Sequence, residues 1–247
     1  MLETAVALAF GHILADFVMQ SDAMIRDKAG RPTVLLLHIL IVIAVSWAAL
    51  GFALQPLLLL LIAVSHYLID LTKLRYGGPT FGPFAVDQAA HLAMVALGAA
   101  LFPGAYASGL WVALAGGPAG PWVAWLPQAM ALAAGLVATV WAGGYAVQAL
   151  MVDLKLPEHP DQSTSLPKGG QLIGRLERLM ILMLFLADQP EAIGLLIAAK
   201  SILRFNELAR DADRRASEYV IIGTLASFAW AIGTAWATMA LLAALAP

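Results

Sequence analysis

No cysteine occurs anywhere in the 247 residues. Disulfides, thiolate metal ligands and cysteine nucleophiles are therefore excluded, and any bound metal must be held by nitrogen and oxygen. Charge is scarce too. Asp, Glu, Lys and Arg make up 12% of the chain, against roughly 25% in soluble domains. With 61% hydrophobic residues and a mean hydropathy of +0.82, this is a membrane composition. Alternating strand patterns are missing and the apolar runs are long, which selects helices over a β-barrel. No GxSxG, HExxH, P-loop or dinucleotide fingerprint is present, which disfavours those chemistries. The opening Met1-Leu2-Glu3-Thr4 has no basic residues, and the apolar segment after it holds His12 and Asp16. It reads as a retained first span rather than a cleaved leader.

What is present predicts an all-α, polytopic integral membrane bundle of eight spans. They run roughly 3–20, 33–53, 55–72, 85–103, 127–151, 172–187, 191–206 and 218–245. Spans one, three, six and seven are short for a hydrocarbon core. Numbering alternate loops as cytoplasmic puts all 14 Lys and Arg residues on one side, which places both termini outside. Trp47, Trp122, Trp125 and Trp236 fall near the uncharged boundary, where interfacial aromatics belong. Four segments follow: a His/Asp module over 1–103, an outer loop plus fifth span over 104–152, a polar cytoplasmic linker over 153–171, and a three-span module with a basic edge over 172–247. The stretch 206–217 reads as a short solvated helix.

Three short motifs carry the chemistry: His12 with Asp16, His66 with Asp70, and Asp87 with His91. Each pair is four residues apart, so its members share a helix face. Spans one and three run inward and span four runs outward, so the reversed order in the third motif produces the same vertical arrangement. His38 falls near the same level in span two. A histidine layer above a carboxylate layer is therefore expected in the cytoplasmic leaflet, with Gln20 and Gln88 at its rim. Burying such groups is costly unless they are paired, hydrated or bound to a cation. Imidazole with carboxylate suits zinc first, and Mn, Fe or Ni as well. The expected metal ligands are His12, Asp16, His38, His66, Asp70, Asp87 and His91, with Asp70 and Asp87 also candidates for a catalytic base. Interhelical hydrogen bonding alone, or a bis-histidine haem, are the other readings.

Several strings of the first part resemble one family: GHILADFVMQSD, LLLHIL, SHYLIDLTK and VDQAAHL. In the second part GGQLIGRLERLMIL, EAIGLLIAAKSILRF and SEYVIIGTLASF do so too. They are similar to the uncharacterised bacterial inner-membrane family catalogued as domain of unknown function 3307, over about residues 5–95 and 168–228. The resemblance implies a multi-pass protein of the bacterial inner membrane, and it implies no activity.

The second half has a basic edge. Arg175, Arg178, Lys200 and Arg204 come to a similar depth, either as snorkelling end-of-span charges paired with acids or as an anion site. Two functional classes follow. One is a metal-dependent, hydrolase-like enzyme acting on a lipid or phosphorylated amphiphile at the cytoplasmic leaflet. The other is a transporter or sensor for a divalent transition metal, and a structural, non-catalytic subunit is a third reading. The bilayer is the expected partner, and no nucleic-acid partner is expected.

Overall fold

The computed structural model describes residues 1–117, 120–152, 154, 168–208 and 214–246. Among the described residues the chain is helical and contains no strand. Five helical stretches are long and apolar enough to cross a membrane: Pro32–Ala49, Pro56–Tyr76, Phe81–Leu101, Leu126–Met151 and Ser217–Ala244. Three further expected spans are also helical, at Leu2–Phe17, Gly169–Leu186 and Ala192–Leu208. The first of these has 16 residues, about 24 Å of helix and so shorter than a bilayer core. The polar linker expected over 153–171 lies almost wholly outside the described residues, as does the middle of the expected 206–217 helix.

The chain divides into two compact units, Met1–Ala138 with Ala240–Pro247, and Thr139–Met239. The first unit is built on α1 (Leu2–Phe17), a short α2 (Asp22–Asp27), α3 (Pro32–Ala49), α4 (Pro56–Tyr76) and α5 (Phe81–Leu101). Helix starts follow local chemistry. Pro32 and Pro56 open α3 and α4, where a missing N–H costs nothing, and the Ser21 hydroxyl accepts the Met24 N–H at the head of α2. The segment expected as an outer loop over 103–126 holds two short helices, α6 (Leu110–Ala115) and α7 (Gly120–Ala124). It is tied to the start of α1, because the Thr4 hydroxyl donates to the Pro103 carbonyl and accepts the Tyr106 N–H.

Helix α1 is the hub of this unit, packing on α3, α5 and α8 (Leu126–Val137). One end is an apolar core of Val6, Leu8, Leu50, Leu58, Tyr106 and Met130. At the crossing of α1 and α3, a Cβ on Gly11 would stand 2.7 Å from Ser46 Oγ and 3.0 Å from Ser46 Cα. Only glycine lets the two backbones come this close, and that closeness carries Asp16, further along α1, to α3. Leu36, Leu40, Leu57, Leu60 and Leu68 point outward and stay exposed, as lipid-facing residues do.

In the second unit, residues Ala138–Ala142 form a π-helical turn that runs into α9 (Gly143–Met151). Arg178, on α10 (Gly169–Leu186), is buried and supplies what that turn lacks. Its Nε and Nη2 donate to the Val140 carbonyl, at 3.3 and 2.9 Å, and its Nη1 to Ser227 Oγ at 3.0 Å. A Cβ on Gly143 would sit 2.9 Å from Arg178 Cδ and 2.6 Å from the Trp230 ring, so glycine makes room for the guanidinium. Ile181, Ile193, Phe228 and Ala231 form the apolar core here, drawn from α10, α11 (Ala192–Leu208) and α12 (Arg214–Ala244).

Candidate metal centre

The other end of the first unit is polar inside. His12, His38, His66, Asp70, Asp87 and His91 are all buried, and Asp16 has only 11% of its side chain exposed. The imidazoles touch in sequence: ring centroids are 4.7 Å apart for His12 and His91, 4.1 Å for His66 and His91, and 5.1 Å for His38 and His66. Four helices each contribute one of these rings, because the four-residue spacing keeps every motif on an inward face.

Three atoms from three helices form a nearly equilateral triangle. Asp16 Oδ1 lies 3.2 Å from His38 Nε2 and 3.3 Å from His66 Nε2, and the two nitrogens are 3.1 Å apart. Four ligands held at about 2.0–2.1 Å around a tetrahedral ion are about 3.3–3.4 Å from one another. The triangle is therefore one face of such a site. Asp70 Oδ2 stands 3.7 Å from His38 Nε2. Asp16 Oδ1 makes no hydrogen bond despite its near neighbours, and His38 Nδ1 is likewise unpartnered. Buried polar atoms without partners call for an explanation.

The remaining groups have orientations that can be read from their bonds. Gln88 Nε2 donates to Asp87 Oδ2 at 2.9 Å, which fixes the amide, so Gln88 Oε1 faces His12 Nε2 at 3.3 Å. His12 therefore carries its proton on Nε2 and presents the Nδ1 lone pair, which has no partner. His91 Nδ1 donates to the Asp87 carbonyl at 2.9 Å, leaving the Nε2 lone pair unpartnered too. An Nδ1–H held by a backbone carbonyl is how ligating histidines are oriented. Gln20 contributes an unpartnered Nε2 at the rim.

Sequence reasoning missed two lysines. Lys28 Nζ lies 2.7 Å from Asp70 Oδ2 with only 9% of the lysine side chain exposed, and Lys73 Nζ lies 2.6 Å from Asp87 Oδ2. Their sequence signal was weak, since both read as loop charges marking orientation. Lys73 is three residues after Asp70 on α4, and the short α2 carries Lys28 back over the cluster. The lysines leave Asp16 as the carboxylate with no cationic side chain beside it among the described residues.

Beside the histidines is a small cleft, with room for about one water molecule, lined by His12, His66 and His91 and walled by Leu8, Val42, Ile62, Met94 and Val95, with Ser46 and Ser65 among its polar edges. At the expected basic edge, Arg178 is committed to Val140 and Ser227, and Lys200 Nζ is 2.6 Å from Glu177 Oε2. The Arg175 side chain is exposed, and the Arg204 side chain lies outside the described residues.

These features define a helical, membrane-type protein with a buried cluster of histidine and aspartate able to hold a metal ion. The model of a family described as Protein of unknown function (DUF3307) matches residues 5–110, a stretch that takes in the cluster residues of all four helices. No curated protein and no solved structure matches the chain.

Proposed function

We propose that this is an integral protein of the bacterial inner membrane, of eight spans with both termini outside, whose His/Asp cluster binds a first-row divalent cation, zinc first. The triangle of Asp16 Oδ1, His38 Nε2 and His66 Nε2 carries the reading, because its 3.1–3.3 Å sides suit the face of a four-coordinate site. Mutual hydrogen bonding satisfies such a cluster less well, since two imidazole lone pairs are left aimed at carboxylate oxygens.

The proposed activity is hydrolysis of a lipid or phosphorylated amphiphile. What supports it is the position of His12, His66 and His91 along a small, otherwise largely apolar cleft, where a substrate's polar group would meet the metal. When bound, the metal supplies an acidified water and a Lewis acid. Asp70 and Asp87 are the candidate bases; each is paired with a lysine, and Asp87 keeps one buried oxygen, Oδ1, without a hydrogen bond. The test is an assay of zinc-loaded protein in nanodiscs against an alkyl 4-nitrophenyl phosphate. Turnover lost in Asp87→Asn, with zinc retained, supports the reading; bound zinc without turnover removes it.

A divalent-metal transporter is the second reading: the cluster is buried between helices, where a transported cation would rest. Zinc uptake into proteoliposomes by the wild type, and not by Asp16→Asn, distinguishes a carrier from an enzyme.

A further inference from the structure

We infer that the cluster holds two divalent cations, bridged by the carboxylates of Asp16 and Asp70. This rests on the metal-binding reading above and sharpens it. Each carboxylate sends its two oxygens to different histidines. Asp16 Oδ1 faces His38 and His66, while its Oδ2 is 3.7 Å from His12 Nδ1. Asp70 Oδ2 is 3.7 Å from His38 Nε2, while its Oδ1 is 3.9 Å from His91 Nε2. One ion thus takes His38 and His66, the other His12 and His91, and both share the two aspartates.

The second position has its own signature. His12 Nδ1 and His91 Nε2 are both lone pairs by the bonds their opposite nitrogens make, both are unpartnered, and each faces a carboxylate oxygen. Acceptor facing acceptor in a buried site is unfavourable until a cation or a donor stands between. Ligand atoms of His12, Asp16 and His91 lie within 4.8 Å of one another. Closing them on an ion at about 2.1 Å asks each to move by less than about 1 Å.

The arrangement also names a substrate class. Two divalent ions against two bridging carboxylates, with Lys28 on Asp70 and with Asp87 and Lys73 cancelling, leave a charge of about +3, to be met by a shared hydroxide and an anionic ligand. Ion pairs of this kind, about 3.5–4 Å apart, clamp phosphoryl groups in phosphatases and nucleases. A phosphate ester therefore suits the cluster better than a neutral carboxyl ester.

The test is Mn²⁺ titration of the purified full-length protein in detergent, read by elemental analysis and electron paramagnetic resonance. Two ions per chain with an exchange-coupled spectrum are expected, and His91→Gln should reduce this to one ion with an uncoupled six-line signal. One ion in the wild type, or two without coupling, overturns the bridged pair and leaves the single-metal reading standing. No ion overturns both.

Discussion

Asp16 Oδ1 stands 3.2 Å from His38 Nε2, on a different helix, and no lysine or arginine among the described residues pairs with that carboxylate. The neighbouring aspartates each have a lysine at 2.6–2.7 Å. A buried carboxylate that faces imidazoles and no lysine or arginine is where a cation would be best placed.

Removing that charge should therefore remove the metal. Asp16→Asn and His38→Ala are each expected to weaken zinc affinity at least 100-fold, measured by competition with a chromophoric chelator. Trp122→Ala, at an exposed aromatic far along the chain, should leave it unchanged. Zinc at about 100 times its Kd should add about 2.7 kcal/mol to the unfolding free energy of the wild type, and nothing to Asp16→Asn.

Lys28 and Asp70 form a buried ion pair, and truncating one partner strands the other. Lys28→Met is expected to cost about 3–5 kcal/mol in metal-free protein. The double variant Lys28→Met, Asp70→Asn should recover most of that loss. Zinc should restore stability to Lys28→Met more than to the wild type, because the ion takes over the neutralisation of Asp70. Chemical denaturation in mild detergent, with and without zinc, measures all four states.

The helix crossing can be tested through Gly11. Gly11→Val should force α1 from Ser46 and move Asp16 away from His38, lowering both thermal stability and zinc binding. Gly30→Ala, where a Cβ would meet nothing within 4 Å, is the control and should behave as wild type.

Arg178 offers a prediction about the second unit. Its guanidinium satisfies the Val140 carbonyl, within the π-helical turn, with two donors while a third reaches Ser227. A lysine cannot reproduce that fork. Arg178→Lys should therefore be nearly as destabilising as Arg178→Met, by about 2–4 kcal/mol, in thermal unfolding followed by circular dichroism.

Much of this was legible in the residues, and the reasons differ from case to case. The pairing of His12 with Asp16 and of Asp87 with His91 is local helix geometry, so spacing alone puts each pair on one face. Long apolar runs likewise announce the helices, and prolines mark where α3 and α4 begin. The lysine partners were not legible, because Lys28 arrives through α2, a six-residue helix with no apolar periodicity. Nor was the role of Arg178, whose acceptor is a backbone carbonyl within a π-helical turn, a feature without a residue signature. The interleaving of Asp16 between two histidines depends on Gly11, whose meaning appears only once α3 is known to be its neighbour.

The central claim meets its most direct test in elemental analysis of purified wild-type protein, equilibrated with zinc at neutral pH and freed of excess by gel filtration. The account predicts at least one tightly held zinc per chain, absent from Asp16→Asn purified alongside. A wild type that emerges without metal, folded and indistinguishable from Asp16→Asn, would contradict it.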